Sequence, residues 1–424
     1  MKLHLTNIGK ISSATIELNG ITVIAGDNDT GKSTVGKALF AVFNSLYNCQ
    51  DKINVERRVN LENLILVLFR NAHGTMSYYE NIDDLVQQVF SCASVANSPN
   101  ALSDAIQNEI THYCDTVNLH IDAADIQSFS NRAADSLQIT DDVIFHSILQ
   151  RRLDAEFNEQ ISNQYSDIAQ SEISLEIRGE RICVSILNNK VSVTNPRISL
   201  GTEAIYIDDP FVLDEVPYRP FRRSRFSDHR GHLQNRMAVS PRETNVVEEI
   251  VMRNKLNIVC EKLSEVCAGN IINDKKAAWT YQLAGSDKAL DIRNLSTGLK
   301  TFVILKLLLV NGSIEPNGTL ILDEPEIHLH PAWQLRFAEL IVLLHKEFGL
   351  HILLNTHSPY FLNAIEVYSA KYGLADCCKY YLAHNVQNAS CIEDVTNNVE
   401  KIYSTLAKPL QDLENEGYAN DDSR

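Results

Sequence analysis

Apolar and polar residues alternate near the amino end of the chain, in segments 3–8 and 13–18. This two-residue period predicts two strands, and the glycine-containing turn between them predicts that the strands pair antiparallel. The apolar segment 21–25 predicts a buried strand. A glycine-containing loop follows, and apolar residues then recur with helical spacing across 35–46. The pattern therefore predicts an antiparallel β-subdomain that leads into a strand, a loop and a helix.

Helical and strand patterns alternate from residue 295 to near the end of the chain. The predicted helices span 298–310, 331–347, 359–369 and 397–414, and the predicted strands span 319–323, 351–355 and 380–382. Strands separated by helices are typical of a parallel sheet, so this half of the chain predicts the α/β class.

A long middle segment separates these two patterned ends. Residues 50–172 are polar with a mainly helical pattern, residues 173–195 alternate again, and residues 204–207 form a short apolar strand. We therefore expect one α/β domain that is split by an insert. The predicted boundaries are 1–50 for its first half, 51–290 for a mostly helical insert whose β-segment 173–210 returns to the domain, and 291–424 for its second half.

The loop after the strand 21–25 fits the pattern GxxxxGK[ST]. In such a loop the backbone N–H groups and the following helix N-terminus bind phosphate oxygens. Lys32 is expected to reach the β- and γ-phosphates, and the Ser33 hydroxyl is expected to bind Mg²⁺. A chance match is the alternative, which the flanking strand and helix disfavour. The predicted ATP-binding residues are Gly26, Asp27, Asn28, Asp29, Thr30, Gly31, Lys32, Ser33 and Thr34.

Two adjacent acids, Asp323 and Glu324, end the apolar strand 319–323. Beside a phosphate loop, Asp323 is expected to bind Mg²⁺ and Glu324 to act as the general base for the attacking water. His357 follows the next predicted strand, and ligands of such folds bind where parallel strands end. We expect its imidazole to contact the γ-phosphate or the water. The alternatives are solvated acids at a strand end and a structural histidine.

The segment LSTGLK, residues 295–300, opens the helix that precedes the paired acids. Ser296 is expected to cap this helix, and Gly298 to let a phosphate approach the backbone closely. Alone, such a string is more typical of helix capping, and its value here lies in its position before the acids.

Glu326, His328 and His330 lie between the paired acids and the next helix. Their spacing is poor for metal ligands on a helix, and Pro331 suits the first helical position. We favour a turn that contacts a second subunit, and a metal site is the alternative.

Composition and charge narrow the class of protein. The 424 residues include 44% hydrophobic residues, and the net charge is −16. A protein that coats nucleic acid nonspecifically is usually basic, so a DNA contact must be local or made by a partner. The local candidate is an arginine-rich segment, and the alternative is a loop that pairs with the chain's own acids. Its members are Arg219, Arg222, Arg223, Arg225, Arg230 and Arg236.

Other features predict a cytoplasmic protein with no membrane contact. No apolar run reaches the ~20 residues of a membrane span, and the amino-terminal residues lack an apolar signal core. The nine cysteines form no CxxC pair. We therefore expect reduced thiols rather than a disulfide framework or structural zinc.

The order of the phosphate loop, LSTGLK, ILDEPE and NTHS resembles the ABC/SMC ATPase superfamily, over residues 1–50 and 290–405. These motifs correspond to Walker A, the signature, Walker B with the D-loop, and the H-loop. Thr297, Leu299 and Lys300 depart from the family's LSGGQ signature. The family's Q-loop glutamine is not placed; the candidates are Gln50, Gln87 and Gln88. DEPEIHLHP followed by THSP is similar to the RecF/OLD-like branch, and to the ATPase subunits of Septu-type antiphage systems, including retron-associated ones.

The resemblance implies an ABC/SMC-type P-loop NTPase head. It implies that two chains pack head to tail as a homodimer or a higher even-numbered oligomer, each supplying Ser296 and Gly298 to the other's ATP. It also implies a separate HNH nuclease as partner, since the residues after His357 are too few for the TOPRIM nuclease domain of the OLD proteins. The alternatives are a RecF-like DNA-repair ATPase and a nucleotide-binding scaffold without turnover.

Overall fold

A computed structural model of the chain describes residues 1–73, 82–95, 98–166, 168, 170–194, 198–215, 227–239, 246–273, 279–283 and 285–421. The chain divides into two compact units. The first contains Met1–Tyr47 and Leu149–Arg424, and the second is Asn48–Ile148. The second unit is shorter than the predicted insert of 51–290, because residues 149–290 belong to the first.

The described strands and helices are numbered in chain order. The strands are β1 (Lys2–Ile8), β2 (Ile11–Glu17), β3 (Ile21–Gly26), β4 (Gln170–Ile177), β5 (Glu180–Leu187), β6 (Lys190–Thr194), β7 (Ala204–Ile207), β8 (Asn270–Asn273), β9 (Trp279–Gln282), β10 (Ala289–Asp291), β11 (Thr319–Asp323), β12 (His351–Thr356), β13 (Cys378–Val386) and β14 (Ala389–Asp394). The helices are α1 (Lys32–Leu46), α2 (Cys49–His73), α3 (Ile82–Val95), α4 (Pro99–Thr116), α5 (Ala123–Leu137), α6 (Asp141–Phe157), α7 (His229–Met237), α8 (Val246–Ser264), α9 (Thr297–Val310), α10 (Pro331–Phe348), α11 (Pro359–Lys371) and α12 (Glu400–Asp421).

Eleven of the described strands form one sheet, in the order β6-β5-β4-β1-β2-β14-β13-β3-β12-β11-β7. The five strands from β13 to β7 in this order are parallel to one another, whereas β13 pairs antiparallel with β14 on its other side. Antiparallel pairing joins β1 to both β2 and β4, and it joins β5 to both β4 and β6. The predicted α/β class with an amino-terminal antiparallel subdomain is confirmed. Because parallel strands end at one edge, Gly26, Ile207, Asp323 and Thr356 all lie at the same edge of the sheet.

The core of the first unit lies between the parallel strands and the helices α9, α10 and α11. The apolar run predicted within 298–310 is buried there, with Phe302, Val303 and Leu305 at most 1% exposed. Burying such side chains stabilises a fold by about 1.5–3 kcal/mol each. The second unit has its own apolar core between its helices, around Leu61, Phe69 and Ile106.

The last part of the chain differs from its prediction. The strand predicted at 380–382 is longer, and a turn at Gln387, which has a φ of 55°, joins it to the unpredicted strand β14. The partly polar sequence of β14 hides its strand pattern. The carboxyl-terminal helix begins at Glu400 and ends at Asp421, against the predicted 397–414. No helix within the described ranges is long and apolar enough to cross a membrane.

Candidate functional site

The phosphate loop joins β3 to α1, as predicted. Gly31, at the N-cap position of α1, has a left-handed φ of 80°. The Lys32 side chain is 4% exposed, and its Nζ donates to the backbone carbonyl oxygens of Gly26 at 2.9 Å and Asp27 at 2.7 Å. The Thr30 hydroxyl donates to the same Asp27 oxygen at 2.8 Å. The ammonium group is therefore held within the curve of the loop, where it can face a phosphate.

The other predicted ATP-binding residues surround this lysine. Exposed side chains form the tip of the loop: Asp27, Asn28 and Asp29. Asp29 pairs with the ammonium group of Lys10. Ser33 is exposed and Thr34 is half-buried in the first turn of α1, where free backbone N–H groups and the helix dipole favour an anion.

Asp323 is buried at the end of β11 and accepts two hydrogen bonds. The Tyr206 hydroxyl donates to its Oδ2 at 2.8 Å, and the Asn355 side-chain amide donates to its Oδ1 at 2.8 Å. The Tyr206 hydroxyl also lies 3.5 Å from the backbone carbonyl oxygen of Ser33. Both residues predicted to bind Mg²⁺ therefore contact the same phenol group.

The donor set at this point fits Mg²⁺, which prefers oxygen ligands and retains several waters. Ser33 and Asp323 offer a hydroxyl and a carboxylate. The Oδ1 atom of Asn355 is buried beside Asp323 and has no hydrogen-bond partner among the described residues. Such an acceptor is suited to a water molecule bound to the metal.

Glu324 lies between the Lys32 ammonium group and the His357 imidazole. Its Oε1 is 3.6 Å from Lys32 Nζ and 3.5 Å from His357 Nδ1. His357 first, and then Lys32, hold the pKa of Glu324 below its ordinary value although partial burial opposes them. Glu324 in turn raises the pKa of His357. The sheet therefore brings the predicted catalytic residues Lys32, Glu324 and His357 together.

Glu326 lies inside the chain, although we expected it in a turn facing a second subunit. It is 2% exposed, and its Oε1 accepts hydrogen bonds from the Thr356 hydroxyl and from the His357 backbone N–H. Burial raises the pKa of its carboxyl group. Its Oε2 is buried with no hydrogen-bond partner among the described residues. Glu326 therefore fixes the backbone that carries His357.

The two histidines of this segment have different partners. The His330 ring accepts from the backbone N–H of Ala332, and the His328 ring packs edge-on against Phe211. Since Glu326 faces Thr356, the three side chains do not converge on one point. His328 and His330 are exposed, as is Ile327. These three remain candidates for a contact with a second chain.

The signature segment contains one exposed and one buried predicted residue. Ser296 is the N-cap residue of α9, as predicted, but its hydroxyl accepts no capping hydrogen bond from a backbone N–H within the described chain. Gly298 is buried, and a Cβ atom there would lie 2.9 Å from the His328 carbonyl oxygen. Close packing within the chain therefore requires this glycine. The buried Lys300 binds both carboxylate oxygens of Asp214, at 2.6 and 2.8 Å.

Neither Ser296 nor Gly298 forms a hydrogen bond or ion pair with Lys32, Asp323, Glu324 or His357 in the described part of the chain. The predicted catalytic set is thus divided into a group whose members contact one another and a separate pair on α9.

Only two arginines of the arginine-rich segment lie within the described residues. Arg230 is 2.7 Å from Asp208 and 3.6 Å from Asp209, and Arg236 is 2.6 Å from Glu203. These two arginines therefore pair with acids of the chain itself, which was the alternative to a DNA contact. The remaining four lie outside the described residues: Arg219, Arg222, Arg223 and Arg225.

Four residues that hold the site were not predicted from the sequence in this role: Tyr206, Asn355, Asp214 and the buried Glu326. Tyr206 and Asn355 are polar positions within otherwise apolar strands, and that interruption was the available signal. Asp208 and Asp209 follow β7, next to the strand that ends in Asp323. The candidate Q-loop glutamines Gln50, Gln87 and Gln88 belong to the second unit, where the Gln50 side-chain amide donates to Asp141.

One family model and one curated relative match part of the chain. Residues 262–363 match the family described as "AAA domain, putative AbiEii toxin, Type IV TA system". This range contains the signature segment, Asp323, Glu324 and His357 but not the phosphate loop. A retron Vc95 probable ATPase from Vibrio cholerae serotype O1 biovar El Tor is 33% identical over 87 residues, which are 18% of this chain and 16% of that protein. The match therefore spans a small part of that relative's length.

The family match supports an AAA-type domain within residues 262–363.

Solved structures of SMC head domains are also similar. An SMC head bound to the C-winged helix domain of ScpA has a TM-score of 0.45 and 11% identity, covering 93% of this chain and 97% of that one. A Thermotoga maritima SMC head has a TM-score of 0.38 and 12% identity, covering 93% and 98%. A Pyrococcus furiosus Smc head with an extended coiled coil has a TM-score of 0.43 and 10% identity, covering 98% of each chain.

Proposed function

We propose that the chain binds Mg-ATP, closes over it as a homodimer and hydrolyses it. The observation that supports this most is the convergence of Lys32, Asp323, Glu324 and His357 at the edge where the parallel strands end. A lysine in a phosphate loop, a buried acid, a second acid and a histidine are the groups that phosphoryl transfer to water requires.

In this mechanism Lys32 binds the β- and γ-phosphate oxygens. Ser33 and Asp323 would hold Mg²⁺, which would supply neutralisation of the charge that develops on the phosphates. Glu324 accepts the proton of the attacking water, and His357 holds the Glu324 carboxylate in place.

The charge around Glu324 makes its basicity depend on the nucleotide. Without phosphates, Lys32 and His357 hold the pKa of Glu324 low, which makes this carboxylate a weak base. A triphosphate competes for the Lys32 ammonium and adds negative charge nearby. Both changes raise the proton affinity of Glu324. The base is therefore strengthened when its substrate is bound.

The second chain is proposed to supply Ser296 and the first turn of α9. Ser296 is exposed and its hydroxyl has no capping role, so it is available to an external ligand. Gly298 contributes through its backbone N–H at the helix start. Its lack of a side chain is explained separately, by its close packing against His328 within the same chain. ATP then lies between two chains, and its hydrolysis removes the link.

A Glu324→Gln variant tests this proposal. It is expected to bind ATP without turnover and to shift to a dimer when ATP and Mg²⁺ are added, measured by size-exclusion chromatography with light scattering. Glu393→Gln is the matched control, because Glu393 is an exposed carboxylate paired with Lys401. A Glu324→Gln variant that hydrolyses ATP like the wild type and stays monomeric would leave only a nucleotide-binding scaffold.

We further propose that the ATPase cycle regulates a partner HNH nuclease in antiphage defence, as the resemblance to PtuA of Septu systems implies. The match to a retron-associated ATPase supports a defence context. Purification from native cells is expected to yield an HNH protein whose DNA cleavage differs between wild-type and Glu324→Gln complexes. No such partner, together with a preference for gapped DNA, would favour a RecF-like repair ATPase instead.

A contact with DNA through the arginine-rich segment is assigned to Arg219, Arg222, Arg223 and Arg225, because Arg230 and Arg236 already bind acids of the chain. Charge reversal at Arg222 and Arg223 is expected to weaken DNA binding or nuclease activation. An unchanged result in both assays would remove this surface from the proposal.

A further inference from the structure

Tyr206 connects the two predicted metal-binding residues although it belongs to neither motif. It lies on β7, the edge strand beside β11, and is fully buried. Its hydroxyl donates to Asp323 Oδ2 at 2.8 Å and lies 3.5 Å from the Ser33 carbonyl oxygen. A single phenol group therefore contacts both the metal-binding acid and the end of the phosphate loop.

The helix α1 has a glycine where the phenol approaches it. A Cβ atom at Gly36 would lie 3.0 Å from the Tyr206 hydroxyl oxygen and 3.1 Å from a methyl group of Ile321. Glycine within a helix costs about 1 kcal/mol relative to alanine. The close approach of Tyr206 explains why this position keeps a residue that destabilises its own helix.

His229 covers the ring of Tyr206 and limits its orientation. The two rings stack with centroids 4.2 Å apart and 23° between their planes. The His229 Nδ1 is 2.7 Å from Glu156 Oε2, and its Nε2 is 3.1 Å from Asp208 Oδ2. Burial opposes protonation, but the two carboxylates outweigh it and raise the pKa of His229 to about 9. At neutral pH, a buried imidazolium therefore holds the phenol ring in place.

We propose that Tyr206 is a positioning residue that fixes the Asp323 carboxylate relative to the phosphate loop and thereby sets the site's requirement for Mg²⁺. This inference rests on the proposed ATPase function. A carboxylate held by one hydrogen bond on each oxygen, from Tyr206 and Asn355, has one orientation toward a metal or its waters. Loss of such an outer partner typically costs about 10- to 100-fold in metal affinity or activity.

The test compares Tyr206→Phe with Tyr381→Phe. Both tyrosines are buried in the same sheet, and each loses one hydroxyl group; that of Tyr381 accepts from the Glu17 backbone N–H at 2.9 Å, away from the phosphate loop. ATP hydrolysis is measured against Mg²⁺ concentration, and nucleotide affinity is measured in EDTA with a fluorescent ATP analogue. Melting temperatures of both variants report folding.

Tyr206→Phe is expected to raise the Mg²⁺ concentration for half-maximal hydrolysis, or to lower kcat, by about 10- to 100-fold. Its affinity for the analogue in EDTA should equal that of the wild type. Tyr381→Phe should lower the melting temperature to a similar degree and leave the Mg²⁺ requirement unchanged.

Two results separate this inference from the proposed function. The positioning role alone would be overturned if the wild type hydrolyses ATP and Tyr206→Phe has the same kcat and Mg²⁺ requirement. It would also be overturned if Tyr381→Phe changes these quantities as much as Tyr206→Phe does. A folded wild type that binds no nucleotide would overturn the ATPase proposal and this inference with it.

Discussion

The phosphate-loop region and the signature region of the same chain differ in where their polar groups find partners. In the first, Lys32, Glu324 and His357 contact one another, and Asp323 accepts two hydrogen bonds. In the second, Ser296 is exposed and its hydroxyl caps no described backbone group of α9. This difference underlies our proposal that one chain binds nucleotide alone, whereas turnover requires a second copy.

The largest expected effect concerns the phosphate-loop region, whose polar groups contact one another within one chain. Glu324→Gln should lower kcat by about 10²- to 10⁴-fold, because it removes the general base, and should keep ATP affinity. Steady-state hydrolysis and equilibrium ATP binding measure the two quantities. A variant that loses ATP binding as well would show that Glu324 supports the loop rather than the chemistry.

Ser296→Arg tests the signature region, which we propose acts on the ATP of a second chain. It should prevent ATP-dependent dimerisation and lower hydrolysis by about 10²-fold, since an oxyanion contact is lost and a bulky cation is added at the interface. ATP binding by the monomer should be unchanged. The control is Ser404→Arg on an exposed face of α12. Equal dimerisation of both variants would contradict the role of Ser296.

Variants of the buried Glu326 test how the phosphate-loop region holds His357 in place. Glu326→Ala leaves the donors of Thr356 and His357 unpaired and should destabilise the fold by about 1–3 kcal/mol and lower kcat. Glu326→Gln keeps an acceptor oxygen and should restore most activity. Glu339→Gln, at another buried glutamate, controls for charge removal. If Glu326→Ala melts earlier but keeps full kcat, its role is structural only.

A further expected effect, on stability rather than on turnover, is a dependence of the free energy of unfolding on pH. The folded-state pKa of His229 is about 9, above its ordinary value of 6.5. Its contribution is therefore fully present below pH 6.5 and is lost as the pH rises through 9. Between these values stability should fall by about 1 kcal/mol per pH unit, measured by urea unfolding. A flat profile would show that His229 is neutral in the folded chain.

The sequence predicted the elements of the site well because strand, loop and helix are encoded by local periodicity. The phosphate loop and the ends of β11 and β12 lie where 26–33, 323 and 357 were expected to be. Parallel strands then determine which ends meet, so the meeting of Lys32, Glu324 and His357 followed from topology.

The supporting residues could not be predicted in the same way. Tyr206 and Asp323 are far apart in sequence, and their contact depends on β7 pairing with β11. The burial of Glu326 depends on how the segment after β11 folds onto β12, which local patterns do not reveal. The strand β14 was missed because its sequence is partly polar, and one of its two partner strands, β2, lies at the other end of the chain.

The most direct test of a site shared between chains mixes two inactive variants. Lys32→Ala removes the phosphate-binding cation, and Ser296→Arg removes the serine that a neighbour needs. A heterodimer of the two retains one site with an intact Lys32 from one copy and an intact Ser296 from the other. If the site is shared between chains, mixing restores ATP hydrolysis in proportion to the heterodimer formed. A mixture of folded variants that remains as inactive as each variant alone would contradict it.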